Sequence, residues 1–141
     1  VFGFKMELED IQIFANEKPV FGTCAGLILM AKDLGDFRVQ QLGILNITVK
    51  RNAYGSQTES FESEITGCLT PAYQAIFIRA PKIEIAGDTV HICGSLNDDP
   101  VWVENDKHMG CSFHPELTED TRIHAIFLDK IRKQIKKLQM A

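Results

Sequence analysis

Apolar residues recur along the chain with two periods, and each period predicts one kind of secondary structure. Helical spacing predicts α-helices over residues 6–15 and 119–138, the second with one continuous apolar face. Alternation of apolar and polar residues predicts a half-buried strand over residues 45–50. Runs of β-forming residues between turn residues predict further strands over residues 59–65, 74–79, 89–94, 101–104 and 109–113. The pattern is therefore that of a mixed α/β protein.

A short apolar segment, residues 19–22, leads directly into a glycine-rich turn and a run of helix formers. It predicts a strand buried on both faces, as in a parallel sheet, followed by a helix over residues 25–32. Such a strand usually has parallel neighbours, each supplied by a strand–helix unit, and this sequence shows one such unit. We therefore expect the chain to begin in the middle of a fold.

Composition narrows the class of protein. The 141 residues suit one domain, and 45% hydrophobic residues are enough to bury a core. The formal net charge of −4 comes from interspersed acidic and basic residues, which argues against nucleic-acid binding. No apolar run reaches the length of a membrane span, and no secretory signal opens the chain. We therefore expect one domain over residues 1–141 that binds neither nucleic acid nor membrane.

The cysteines do not have the spacing of a metal site. They share no C-x-x-C motif and have no histidine at zinc-ligand spacing: Cys24, Cys68, Cys93 and Cys111. Because the chain can bury a core without covalent staples, we expect these thiols to be reduced, as in a cytoplasmic protein.

Cys24 lies at the centre of a Gly-Thr-Cys-Ala-Gly turn between the predicted strand and helix. This is the pattern of a nucleophile elbow with cysteine in place of serine, and Gly22 and Gly26 remove Cβ atoms that would collide there. The positive end of the helix is expected to lower the thiol pKa, and the Ala25 N–H can hold an oxyanion. Taken alone, the motif also fits a small structural cysteine.

A second candidate group, His114-Pro115-Glu116, follows the strand predicted over residues 109–113. Residues two apart in an extended chain lie on the same side, and Pro115 disfavours a helix, so Glu116 can orient the His114 imidazole. The acid follows the histidine here, whereas in α/β-hydrolases it precedes it. Together with the elbow, this group predicts a Cys–His–Glu triad.

Two segments, GTCAGLILMAK and GCSFHPELTED, resemble class I glutamine amidotransferases, and most closely the glutaminase subunits of pyridoxal 5'-phosphate synthases. LGILNITVKRNAYGSQTESFE and IFIRAP are similar to strands and substrate-facing parts of the same group. The resemblance implies a flavodoxin-like three-layer α/β/α fold with an antiparallel strand extension, without the N-terminal strand–helix units of the family. It also implies hydrolysis of L-glutamine without a cofactor, and transfer of ammonia to a separate synthase subunit in a hetero-oligomer.

The resemblance also implies roles for residues at matching positions. Cys24 would be the nucleophile, His114 the acid and base, and Glu116 the orienting carboxylate. The family's glutamine-contacting positions are matched by Arg51, Ile78 and Arg79. An arginine suits this task because its planar guanidinium can pair with the α-carboxylate of the substrate, although a lone arginine at a strand end is otherwise read as a solvated charge.

One departure from the family keeps other functions open. Family members begin with further strand–helix units and a PGGES-like loop that supplies a second oxyanion donor, and this sequence contains no such segment. A remnant that binds the synthase subunit without catalysis, and a cysteine hydrolase with another substrate, are therefore alternatives. A membrane or nucleic-acid patch over residues 129–139 is less favoured, because cations are expected near a helix C-terminus anyway.

Overall fold

The computed structural model describes residues 2–32, 41–50, 60–85 and 87–140. The elements follow in this order: α1 Phe2–Glu17, β1 Phe21–Thr23, α2 Ala25–Met30, β2 Ile47–Lys50, β3 Ser60–Gly67, β4 Tyr73–Ile78, β5 Lys82–Ile85, β6 His91–Leu96, β7 Asp99–Glu104, β8 Met109–Cys111, a 3₁₀ turn Pro115–Leu117, and α3 Arg122–Met140. The helices and strands predicted from periodicity are confirmed, with ends that differ by a few residues.

Among the described residues, six strands form one sheet in the order β1-β8-β7-β6-β3-β4. β1 and β8 run parallel, with Phe21 opposite Met109 and Thr23 opposite Cys111. From β8 to β4 the neighbouring strands are antiparallel. Because β1 and β8 are parallel, the residues that follow Thr23 and Cys111 emerge at the same edge of the sheet. This edge is where the sequence places its candidate catalytic groups.

Two clusters of buried side chains pack on opposite faces of the sheet. Trp102 and Val103 are neighbours in β7 and belong to different clusters, as expected for consecutive strand residues. The larger cluster is aromatic and includes Tyr73, Phe77, Trp102, Phe113 and Ile123. The other includes Leu27, Met30, Leu45, Ile47, Ile83 and Val103. Since Ile123 lies on α3 and Leu27 on α2, helices cover both faces, in agreement with the predicted layers.

Two elements differ from the sequence-based prediction. α2 ends at Met30 rather than at residue 32, because the N–H groups of Leu42 and Ile44 bond to the carbonyls of Leu29 and Met30 at its C-terminal end. β5 was not predicted, since four residues after a proline carry little periodic signal. It becomes a strand by pairing antiparallel with β2, where Val49 lies opposite Ile83.

The apolar face predicted for the C-terminal helix is only partly buried. Ile123 of α3 is fully buried, and Ile126 and Phe127 pack against the aromatic cluster. Towards the end of the helix, Ile135 and Leu138 are 49% and 64% exposed. None of the helices in the described ranges combines the length and the apolar character needed to cross a membrane.

Candidate active site

Cys24 occupies the sharp turn between β1 and α2 that the sequence predicts. Its backbone is left-handed, with φ 51° and ψ −105°, a conformation that costs a non-glycine residue about 1–3 kcal/mol. The Cys24 N–H donates to the Cys111 carbonyl over 2.9 Å, and the Cys24 carbonyl accepts from Ile28 over 3.3 Å. The sheet and the helix therefore hold this strained residue from both sides.

Gly22 allows α2 to lie directly against β1. A Cβ at position 22 would collide with the Met30 sulfur and stand 2.8 Å from the backbone carbonyl of Gly26. At Gly26 itself, an added Cβ would meet nothing within 4 Å. The first glycine of the motif is therefore required by packing, and the second is not.

A Gly22→Ala variant is expected to be destabilised by about 1–3 kcal/mol, because the backbone of Gly26 cannot move aside as a flexible side chain would. Chemical denaturation of the two proteins measures the difference. Gly26→Ala is the matched control and should be neutral or slightly stabilising, since alanine is the better helix former and its methyl group enters open space. Equal loss of stability in both variants would contradict this account of the turn.

His114 and Glu116 form a close pair at the same edge of the sheet. Nδ1 of His114 lies 2.7 Å from Oε2 of Glu116, and their side chains are 22% and 50% exposed. The extended backbone expected here is wrong, because Pro115–Leu117 forms a 3₁₀ turn that His114 precedes. Proline suits the first position of a helical turn, where its missing N–H is not needed. The predicted contact is therefore made, although by a turn and not by strand alternation.

Strand β4 connects the two candidate groups. The N–H of His114 donates to the Ile76 carbonyl over 2.9 Å, and Sγ of Cys24 lies 3.8 Å from the Ile78 carbonyl oxygen. Residues two apart in a strand are separated by about 7 Å, so the thiol and the histidine backbone dock at neighbouring positions. Arg79 follows Ile78 with an exposed side chain and a left-handed backbone, at φ 47°. The candidate residue Arg51 lies outside the described residues.

The protonation of Cys24 differs from the expectation. Burial raises the pKa of the thiol, the hydrogen bond from the Ala25 N–H opposes this rise, and the charge of Glu116 adds to it. The net shift is upward, so the predicted lowering of the thiol pKa by the helix is wrong. The Ala25 N–H does act on the sulfur in the expected direction, but burial outweighs it. In this arrangement the thiol stays protonated at neutral pH and needs a base.

Alkylation of Cys24 by iodoacetamide is expected to be slow at neutral pH and to accelerate with a midpoint above the ordinary pKa of a cysteine thiol. The reason is that the thiolate reacts and the raised pKa reduces its fraction. Mass spectrometry of the Cys24 peptide across a pH series measures the rate. A midpoint below the ordinary value would instead support the helix-activated thiolate.

Two of the other cysteines, Cys93 and Cys111, are buried, and Cys68 is exposed. Cys111 is fully buried and its thiol donates to the Phe113 carbonyl over 3.3 Å. Burial, together with the hydrogen bond to Glu104, raises the pKa of Cys93 well above its ordinary value. Within the described ranges, no three histidine, cysteine or acidic side chains are grouped so that they could hold a metal ion.

Two further residues at this edge carry no signal in the sequence. The Tyr73 hydroxyl lies 3.1 Å from the Thr118 hydroxyl, which follows the turn that holds Glu116. These residues are 45 positions apart, so no local pattern announces the contact. Two residues after Thr118, the Asp120 carboxylate accepts the Arg122 N–H at the start of α3.

Comparison with known proteins decides the family. The sequence model of the SNO glutamine amidotransferase family matches residues 2–133. The chain belongs to this family. Membership confirms the predicted class of enzyme, a glutamine amidotransferase, and agrees with the resemblance found in the motifs around Cys24 and His114.

Relatives in the SNO glutamine amidotransferase family carry a more specific name. The pyridoxal 5'-phosphate synthase subunit PdxT of Thermotoga maritima is 44% identical over 132 residues, 91% of this chain and 70% of the relative. The PdxT subunit of Oenococcus oeni is 47% identical over 129 residues, 91% of this chain and 67% of the relative. The PdxT subunit of Thermotoga petrophila is 49% identical over 116 residues, which are 81% of this chain and 62% of the relative. The chain thus spans 62–70% of the length of these SNO-family relatives.

Solved structures confirm the fold. A crystal structure of a glutamine amidotransferase superposes with a TM-score of 0.80 at 39% identity, covering 88% of this chain and 67% of that one. A glutamine amidotransferase from Thermotoga maritima has a TM-score of 0.57 at 14% identity, covering 98% of this chain and 57% of that one, and supports the fold alone. The predicted α/β amidotransferase fold is therefore that of this SNO-family chain.

Proposed function

We propose that this chain is the glutaminase subunit of a pyridoxal 5'-phosphate synthase, which hydrolyses L-glutamine and passes the ammonia to a synthase subunit. The observation that carries the proposal is the shared sheet edge, where the Cys24 elbow and the His114–Glu116 pair both dock on β4. The family description supports glutamine as the substrate, and the names of the relatives support the synthase partner.

In the first half of the reaction, Nε2 of His114 takes the thiol proton as the Cys24 sulfur attacks the side-chain amide carbon of glutamine. The amide oxygen becomes an oxyanion, which the Ala25 N–H stabilises. The carbon–nitrogen bond then breaks as His114 returns the proton to the leaving nitrogen, which departs as ammonia. The product on the enzyme is a γ-glutamyl thioester on Cys24.

In the second half, His114 takes a proton from a water molecule that attacks the thioester carbon. The carbon–sulfur bond breaks, the proton returns to Cys24, and glutamate leaves. Glu116 supports both halves because its carboxylate accepts the Nδ1–H of His114, which leaves Nε2 free to exchange protons with the thiol and the substrate. Since the pKa of Cys24 is raised, this base is required at neutral pH.

Ile78 and Arg79 suit the recognition of glutamine. They end β4 beside the Cys24 sulfur, and the left-handed backbone of Arg79 turns the chain at this point. In the proposal, the Ile78–Arg79 backbone contacts the substrate and the Arg51 guanidinium pairs with its α-carboxylate.

The test is release of ammonia and glutamate from L-glutamine by the 141-residue chain, with and without a synthase subunit. A diazo-ketone analogue of glutamine should label Cys24, as located by mass spectrometry. Hydrolysis together with labelling would support the proposal. Binding of the synthase subunit with no hydrolysis in either condition would instead identify a non-catalytic partner, and hydrolysis of other amides without labelling would identify a different cysteine hydrolase.

A further inference from the structure

A separate set of contacts holds the turn that carries Glu116. Oγ1 of Thr118 lies 3.1 Å from the Tyr73 hydroxyl and 3.3 Å from the Pro115 carbonyl oxygen. The Tyr73 side chain is completely buried, so its hydroxyl has a fixed position. Thr118, which directly follows the Glu116 turn, is thereby connected to the first residue of β4.

β4 also holds the beginning of this segment. The Ile76 carbonyl accepts the His114 N–H, and Phe113 packs between the rings of Tyr73 and Phe77, with centroid distances of 5.7 and 5.6 Å. Residues 114 and 118 are therefore both attached to one strand, and the His114–Glu116 pair lies between the two attachments. Loss of either attachment would free one end of the turn.

Carbonyl oxygens can only accept, so a continuous chain of hydrogen bonds has Tyr73 donating to Thr118 and Thr118 donating to the carbonyl of Pro115 or of Asp120, 3.3 and 3.4 Å away. Burial raises the pKa of the Tyr73 phenol, so it stays protonated and can donate to Oγ1 of Thr118. The Thr118 hydroxyl then has its own proton available for either carbonyl. The two hydroxyls thus form a chain from β4 into the turn.

A neighbouring ion pair strengthens the same junction. Arg122 is 2.7 Å from the Asp120 carboxylate and donates to the Pro71 carbonyl, just before β4, over 2.5 Å. These contacts of Arg122 hold the part of the chain that follows the turn. The contact between the hydroxyls of Tyr73 and Thr118 holds the C-terminal end of residues 114–118, and the His114 N–H holds the other end.

We propose that Tyr73 is a positioning residue, which acts through Thr118 to hold Glu116 against His114 in the geometry needed for glutamine hydrolysis. The proposal rests on the proposed function, since it assumes that His114 and Glu116 act in that reaction. Tyr73 contacts the turn and not the reacting atoms, so its removal should affect the rate of the reaction and not the binding of glutamine.

Tyr73→Phe and Thr118→Val each remove one hydroxyl and keep the shape of the side chain. In the full chain with the synthase subunit, each is expected to lower kcat for glutamine by about three- to tenfold, with KM almost unchanged. Thr118→Ser, which keeps the hydroxyl, should restore kcat. The double variant should be no slower than Thr118→Val, because that substitution already removes the contact that Tyr73→Phe removes.

Amide hydrogen exchange gives a readout that does not need catalysis. The N–H groups of Leu117 and Thr118 bond to the carbonyls of His114 and Pro115, so they report directly on the turn. Their exchange is expected to accelerate by about three- to tenfold in both variants. Thr66→Val is the control, since its hydroxyl contacts the Ser95 carbonyl between β3 and β6, and it should change neither kcat nor the exchange of these amides.

The proposal is overturned if exchange of the two amides, or kcat in an active preparation, is the same in both variants as in the unmodified chain. It is also overturned if the effects of the two substitutions on kcat add in the double variant. A chain that hydrolyses no glutamine, or that hydrolyses it without Cys24, contradicts the proposed function instead. The exchange measurement then still decides whether Tyr73 positions the turn.

Discussion

A Cys24→Ala variant is expected to lose glutamine hydrolysis by at least about 10⁴-fold in kcat, because no other group can form the thioester. The folded structure should persist, since alanine keeps the Cβ at the elbow and the Cys24 backbone bonds to Cys111 and Ile28 are unaffected. Release of glutamate by the purified variant, alone and with the synthase subunit, measures the loss. Thermal unfolding of the same samples separates lost chemistry from lost folding.

Cys68→Ala is the matched control for this experiment. It makes the same chemical change at an exposed thiol beyond the end of β3, and it should hydrolyse glutamine at the rate of the unmodified chain. If Cys24→Ala retains more than about a tenth of the activity, Cys24 is not the nucleophile. Equal loss in both variants would indicate that general damage, and not the elbow, is responsible.

The elbow could be predicted because it is encoded locally. An apolar segment, a glycine-rich turn and a run of helix formers follow one another within 14 residues, and each favours its own backbone conformation. The structure shows the expected strand, turn and helix, and it adds that the Cys24 backbone is left-handed. Even here, the reason that Gly22 must lack a side chain is its contact with Met30 and Gly26, which follows from packing.

The sequence predicts the contact between His114 and Glu116, but it does not predict the backbone conformation that makes this contact. Residues at i and i+2 meet in an extended strand, and Pro115 favours an extended conformation of the residue before it. The chain instead turns at Pro115, and the Leu117 N–H closes the turn on the His114 carbonyl. Both conformations accept proline at this position, so the sequence alone does not distinguish them.

The sequence does not predict properties that depend on burial. The helix that follows Cys24 predicts a lowered thiol pKa, yet the core that surrounds the elbow raises it. The contact between Tyr73 and Thr118 joins residues 45 positions apart, and β5 exists through its pairing with β2. Each of these three properties depends on contacts between residues that are far apart in the sequence. Periodicity and short motifs do not report such contacts.

Glu116→Gln is expected to lower kcat for glutamine hydrolysis by about 10- to 100-fold with little change in KM. The carboxylate contacts the His114 ring, and in the proposed mechanism its charge stabilises the imidazolium without touching the substrate. The loss should be smaller than for a buried triad acid, because the Glu116 side chain is 50% exposed and its charge is screened by water. Steady-state kinetics of glutamate release measure both constants.

Glu116→Gln should make the Cys24 thiol more acidic although it slows the reaction. The charge of Glu116 raises the pKa of Cys24, so its removal lowers that pKa and shifts the midpoint of iodoacetamide alkylation to lower pH. A more acidic thiol in a slower enzyme would show that Glu116 acts on the reaction through His114 and not by activating the sulfur. Glu119→Gln, the same change at an exposed residue three positions later, should leave both the midpoint and kcat as they are. If alkylation and hydrolysis instead fall together in Glu116→Gln, the substitution has disordered the site, and the assigned role of Glu116 is wrong.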